Sequence, residues 1–301
     1  MGCVVFIMQK KHNMGKMKFK YWIQASRPKT LLVSVAPVVM AVALASKYNE
    51  INWLPAIICL SFAVMAQVLS NFVNDYADGL KGADNERLGP QRMVASGMIS
   101  PQNMRKGIVL WGILTFALGC TLLYWGGLIL LPFGIVILLC ALAYSTGPFP
   151  LSRHALGDVA VVLFYGVAPV VLTFFIQTGF VNNEITTAGI AMGIMANNLL
   201  IVNNYRDAEQ DLKNGKKTTV TVFGKGFMKI VYYLNPLIAT GLSLLIFNDF
   251  KVIVFLMPFL VYSVFVDVRF DKAQGVRLNK LIGMSSMEAI IFALSITLYL
   301  V

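Results

Sequence analysis

The sequence predicts an all-α, polytopic membrane protein with nine transmembrane helices. Three observations carry that expectation. The 301 residues are 57% hydrophobic and only 13% charged, with a mean hydropathy of +0.72, against about 25% charged residues in soluble domains. Nine apolar runs approach the roughly 20 residues that a bilayer requires. Lysines and arginines collect in alternate connections between those runs, as the positive-inside rule demands. A transmembrane β-barrel would not show runs this long.

In order along the chain, the runs occupy residues 30–46, 53–74, 106–124, 126–144, 156–178, 186–205, 229–247, 251–268 and 281–300. The first follows Arg27-Pro28-Lys29, the end of a basic stretch that starts at Lys10. The second closes on an acidic cluster, Asn71-Phe72-Val73-Asn74-Asp75-Tyr76-Ala77-Asp78, followed by a long basic loop with several glycines. The third and fourth are divided near Trp125, and Gly147-Pro148-Phe149-Pro150 separates the fourth from the fifth. The sixth closes on a second acidic cluster, Asn203-Asn204-Tyr205-Arg206-Asp207-Ala208-Glu209-Gln210-Asp211, again followed by a basic loop, Lys213 to Lys217. The last three runs are separated by Lys251 and by the Arg269–Lys280 stretch. The whole chain reads as one membrane domain, with residues 1–20 as a flexible basic arm.

All but Lys47 and Lys251 of the 25 lysines and arginines fall on one side of this topology. That side, with the N-terminus and both acidic clusters, is expected in the cytoplasm, and the C-terminus outside the inner (cytoplasmic) membrane. The formal charge of +11 therefore needs no nucleic acid, because it faces anionic lipid and phosphate. Nothing marks an obligate protein partner. No cleavable signal peptide is expected, since the basic stretch follows the short apolar run at Met1–Met8 rather than preceding it, and Met14 or Met17 would serve equally well as a start. The four cysteines show no Cys-x-x-Cys spacing, so neither a disulfide nor a zinc framework is expected. His12 and His154 read as solvated loop residues.

The acidic clusters are the informative departure from apolarity. On a helix, Asn71, Asp75 and Asp78 share one face at i, i+4 and i+7, and Asp207 and Asp211 are i, i+4 neighbours. Carboxylates at a helix C-terminus oppose the macrodipole and repel each other. A divalent cation relieves both penalties. Two such clusters face to face would make an oxygen-lined site for Mg²⁺ and a diphosphate, with basic loops supplying cations to the phosphate oxygens.

At these residues the chain resembles the UbiA superfamily of intramembrane aromatic prenyltransferases. The resemblance is carried by Asn71-x3-Asp75-x2-Asp78 and Asp207-x3-Asp211. Arg27-Pro28-Lys29-Thr30-Leu31, Gly82-x-Asp84, Arg87-Leu88-Gly89-Pro90, Gly147-Pro148-Phe149-Pro150-Leu151 and Gly215-Lys216-Lys217-Thr218 are similar to its MenA branch. That branch comprises the 1,4-dihydroxy-2-naphthoate polyprenyltransferases of menaquinone synthesis. The resemblance implies nine helices around a central cavity that opens sideways to lipid. It implies Mg²⁺ on Asp75, Asp78, Asp207 and Asp211, helped by Asn71. Arg92, Lys216 and Lys217 would hold the diphosphate, and Arg27, Asn74, Tyr144, Asp158, Asn203 and Asn204 would line the substrate cavity. The implied reaction moves a polyprenyl group from its diphosphate to the aromatic acid with loss of CO₂. Asp158 departs from the branch, which usually has glutamate there.

Other readings compete. Arg27 fits a snorkelling anchor as well as a cavity residue, and Tyr144 and Tyr205 fit an interfacial belt. Asn197 and Asn198 fit interhelical hydrogen bonding or cavity lining. Glu288, inside the last run, needs a partner that the sequence does not name. A 4-hydroxybenzoate prenyltransferase is the nearest alternative. A cation-coupled transporter would keep its acids nearer the midplane, on broken helices.

Overall fold

The computed structural model describes residues 19–80 and 88–300. Most of the basic arm, and the motif residues Gly82, Asp84 and Arg87, lie outside them. The last two residues of the expected arm belong to a helical turn over 19–26. Arg27 then adopts left-handed backbone (φ 53°) ahead of Pro28, which stands at the first position of the next helix.

Among the described residues, nine long or apolar helices follow: α1 (Pro28–Ala45), α2 (Trp53–Leu80), α3 (Pro101–Thr121, prolonged to Gly126), α4 (Leu130–Ala143), α5 (Gly157–Thr178), α6 (Asn183–Lys213), α7 (Lys225–Phe247), α8 (Lys251–Lys272) and α9 (Leu278–Leu300). Their starts follow local chemistry. Ser100 Oγ accepts the Asn103 N–H ahead of α3, and Asn182 Oδ1 accepts the Ile185 N–H ahead of α6, each satisfying an orphan donor of the first turn. Thr218 and Thr221 form a reciprocal capping box on the short helix Thr219–Phe223, which turns the chain from α6 into α7.

Among the described residues, eight of these helices are long and apolar enough to cross a bilayer. This is a multi-pass membrane protein. The ninth expected crossing falls on α4, which has 14 residues and so is shorter than the roughly 20 of a full span. Two other helices run further than the hydropathy suggests. The second and sixth apolar runs end at residues 74 and 205, whereas α2 continues to Leu80 and α6 to Lys213, in keeping with the helical spacing expected of the acidic residues. Both acidic clusters therefore sit on helix.

The 31-residue α6 is the most enclosed helix and packs against α5, α7 and α9; α1 packs against α9, α5 and α2. Met192, Met195, Phe174, Phe259 and Phe292 fill the centre. By contrast, α3 and α4 turn Val109, Leu110, Ile113, Val136 and Leu139 outward, the apolar surface that a lipid-facing helix presents. The α5–α6 crossing is close because it is built on glycine. A Cβ on Gly166 would lie 2.3 Å from the Gly189 carbonyl oxygen and from Gly193 Cα. At this crossing α5 opens into a π-turn over Leu163–Val167.

The partner missing for Glu288 is a buried polar network. Asn198 Nδ2 lies 3.4 Å from Glu288 Oε2, while Asn198 Oδ1 accepts from Asn235 Nδ2 at 2.7 Å. Asn198 thus joins helices, whereas Asn197 reaches Asp158 on α5.

Candidate functional site

The C-terminal turns of α2 and α6 come together at one end of the bundle. There they enclose a polar mouth of about 90 Å³ with the segments around Arg92, Tyr144–Gly157 and Asn214–Thr218. Below the mouth lies an apolar cavity of about 670 Å³, walled by α1 to α6 and reaching Phe62, Phe116, Leu131 and Leu172. Asn74, Tyr144, Leu200 and Asn203 line both spaces, so the charged mouth and the apolar cavity adjoin and together form a compartment with a charged and an apolar end. Hydropathy could not locate this compartment, because its walls come from helices scattered along the chain.

Asp78, Asp207, Asp211 and Asp158 line the mouth. Three of them meet a cation. Arg92 bonds Asp78 and also donates to Asn74 Oδ1 at 2.9 Å. Arg206 donates from Nε and from a terminal nitrogen to the two Asp207 oxygens at 2.7 and 2.6 Å. Lys216 Nζ lies 3.1 and 3.2 Å from the Asp211 oxygens. Asp158 instead takes neutral donors, Asn197 Nδ2 at 3.0 Å and Thr219 Oγ1 at 2.7 Å. Bidentate pairing of this kind fixes the carboxylates and leaves lone pairs for further ligands.

Other expected site residues are placed elsewhere. Asp75 is 1% exposed, and its oxygens accept the backbone N–H groups of Met93 and Val94 at 3.0 and 2.9 Å. It lines neither the mouth nor the cavity, so the structure does not bring it to the metal set; it pins the segment that carries Arg92. Asn71 Nδ2 donates to the Ser26 carbonyl at 2.8 Å, and the residue lines the apolar cavity rather than the mouth. Lys217 is exposed and lines neither space. Its backbone pairs with Arg153 and Ala155, and its neighbour Lys216 faces the mouth. Arg27 lines the cavity, Asn204 the mouth, and Asn203 and Tyr144 both. Tyr205 packs its ring on Phe270 at 4.9 Å. His154, exposed, stacks on Phe149.

Sequence reasoning missed three residues. Arg206 counted only as a loop charge, yet its side chain is fully buried on Asp207, Asn203 and Asn279. Its place inside Asn-Tyr-Arg-Asp, beside a carboxylate, was the available signal. Thr219 holds Asp158 and Arg153 lines the mouth, and neither left a mark in the pattern.

Among the described residues, no group of three Asp, Glu, His or Cys side chains forms a metal cage. That donor set still suits Mg²⁺, which takes one or two protein carboxylates together with substrate phosphates. The cationic side has room as well. Arg92 is buried, and its Nε and one terminal nitrogen have no partner among the described residues, which leaves guanidinium donors for an anion.

Comparison with known proteins matches this architecture. Residues 34–285 match the UbiA prenyltransferase family. The 1,4-dihydroxy-2-naphthoate octaprenyltransferase of Haemophilus influenzae is 35% identical over 239 residues, covering 76% of this chain and 77% of that protein. The protein of the same name from Escherichia coli is 31% identical over the same shares. In three dimensions, a UbiA homolog from Archaeoglobus fulgidus bound to GPP and Mg²⁺ superposes with a TM-score of 0.66 at 18% identity, covering 92% of this chain and 99% of that one. An apo UbiA homolog from Aeropyrum pernix K1 gives 0.68 at 15% identity, over 90% and 98%. The chain belongs to the UbiA prenyltransferase family.

Proposed function

We propose that this enzyme transfers a polyprenyl group from polyprenyl diphosphate to 1,4-dihydroxy-2-naphthoate, releasing diphosphate and CO₂ and giving the demethylmenaquinol of menaquinone biosynthesis. One observation carries the reading: a mouth built of paired acids and bases adjoins a large apolar cavity. Such a compartment suits a substrate that is a dianion or trianion at one end and hydrocarbon over the rest. The naphthoate specificity rests on the relatives from Haemophilus influenzae and Escherichia coli, which carry that activity in their names.

In this reading Arg92 and Lys216 hold the diphosphate oxygens, and Asp78, Asp207 and Asp211 hold Mg²⁺. Mg²⁺ held there would supply the positive charge that stabilises the departing diphosphate. The C–O bond to the prenyl group breaks with its electron pair leaving on the diphosphate. The apolar walls keep water from the allylic cation. The electron-rich ring attacks through the carbon that bears the carboxylate, and no proton on that carbon can then restore aromaticity. The C–CO₂ bond breaks instead, and its electrons return to the ring. Arg27, Asn74, Tyr144, Asp158, Asn203 and Asn204 orient the reactants. The charge asymmetry of the loops supports a mouth on the cytoplasmic side of the membrane and a C-terminus outside.

Purified protein with Mg²⁺, a prenyl diphosphate and carboxyl-labelled 1,4-dihydroxy-2-naphthoate should release labelled CO₂ in step with product. A product that keeps the label, formed efficiently from 4-hydroxybenzoate, would move the chain to the ubiquinone branch. A reporter after Val301 should appear on the outer face, and a cytoplasmic one would overturn the orientation.

A further inference from the structure

Among the polar residues that line the apolar cavity, Gln67 on α2 and Tyr165 on α5 form a directly bonded pair below its mouth. The Tyr165 hydroxyl donates to Gln67 Oε1, and the Ser70 hydroxyl sits beside the same phenol. Gln67 precedes Asp78 on α2 by three helical turns, which is about 16 Å of helix rise. The pair is therefore well below the acidic mouth. Tyr165 belongs to the π-turn Leu163–Val167, and the adjacent Gly166 lies where an added Cβ would clash with the backbone of Gly189 and Gly193, so the turn is packed directly against α6. A π-turn adds a residue to one turn and re-aims its side chains, a device frequent at functional sites.

Burying an amide and a phenol in a hydrocarbon wall carries a desolvation penalty that one hydrogen bond only partly removes. Hydrogen-bonding capacity remains after they meet. The bond to Tyr165 uses Gln67 Oε1, so the Gln67 amide still has its Nε2 donors and the Tyr165 oxygen a lone pair to offer. A prenyl chain has no polar atom to use either of them, whereas an aromatic acceptor carries ring hydroxyls. We propose that Gln67 and Tyr165 anchor a ring hydroxyl of the aromatic acceptor, and so set which ring carbon faces the mouth. The proposal rests on the reading of this cavity as the site of aromatic prenylation. Both are positioning residues, since they touch the ring's substituent and not the reacting atoms.

The test compares binding of 1,4-dihydroxy-2-naphthoate with that of 1-hydroxy-2-naphthoate, which lacks one ring hydroxyl, to wild-type protein, Tyr165→Phe and Gln67→Leu. Wild type should favour the dihydroxy acid by about 10-fold, the worth of one net hydrogen bond. Both variants should lose that preference while their KM for prenyl diphosphate stays at the wild-type value. A pair that merely joins α2 to α5 would lower thermal stability and leave the preference intact, and that result overturns the proposal. So does an unchanged preference with an altered KM for prenyl diphosphate, which would assign the pair to the prenyl tail. Tyr165→Phe is nearly isosteric and decides the matter if Gln67→Leu does not fold. Wild-type protein that fails to prenylate the naphthoate overturns the underlying reading. Wild-type turnover with variants that keep the preference overturns only the anchor.

Discussion

The two acidic clusters look alike in sequence and are held in opposite ways. The second is nearly self-contained: Arg206 grips its neighbour Asp207, and Lys216, just past the end of α6, reaches back to Asp211. The first depends on a separate segment. Asp75 holds the backbone at Met93 and Val94, and Arg92 from that segment meets Asp78. One cluster is therefore organised by its own helix. The other is assembled only when the chain beyond residue 88 folds back onto α2. A prenyl diphosphate held by Arg92 would reinforce the second kind of contact, so the Arg92 segment is the natural place for substrate to order the site.

The largest effect that separates the two clusters is expected at Asp207. The Asp207→Ala variant should lose turnover by more than 100-fold and should also melt at lower temperature. Arg206 has a fully buried side chain, and removing a buried partner typically costs about 3–5 kcal/mol. Thermal unfolding in detergent, with product assays, checks both halves. Full activity would remove the second cluster from the reaction.

Asp78 and Asp75 should divide the two roles that Asp207 combines. The Asp78 side chain is 38% exposed and an asparagine oxygen can still accept from the buried Arg92, so Asp78→Asn should lose turnover by about the same factor while its melting temperature falls less than that of Asp207→Ala. Asp75→Asn should do the reverse. An asparagine presents an N–H to one of two backbone donors, which costs about 1–3 kcal/mol. Activity should fall by about 10-fold or less, and chiefly as a raised KM for prenyl diphosphate through the displaced Arg92. If Asp75→Asn abolishes turnover with its KM and stability intact, Asp75 is a metal ligand after all and the two clusters are alike.

The smallest effect lies in the basic loop. Lys216→Ala should weaken prenyl diphosphate use by about 10-fold, the scale of one charge-assisted contact of about 1.5 kcal/mol. Lys217→Ala, exposed and outside the mouth, should stay within about twofold. Equal losses in the two variants would mean that the loop rearranges around substrate.

Much of this was legible before any coordinates. Hydropathy and charge placement are additive along a chain, so the crossings, the lipid-facing character and the oxygen-rich ends of α2 and α6 follow from local composition. The i, i+4 spacing of Asp207 and Asp211 likewise needs only helix geometry. Spacing alone could not tell Asp75 from Asp78. Both lie on the cluster face of one helix, and the backbone that satisfies Asp75 arrives from residues 93 and 94. The same holds for Lys216 against Lys217, divided by the pairing of Lys217 with Arg153 and Ala155. It holds too for Gln67, whose phenol partner comes from α5. The sequence by itself determined which segments enter the membrane and where acid and base accumulate, because burial and periodicity are properties of each segment. Only the tertiary structure decided which carboxylate faces the mouth and which holds a loop, because a hydrogen bond is short and directional and its partner comes from a distant part of the chain.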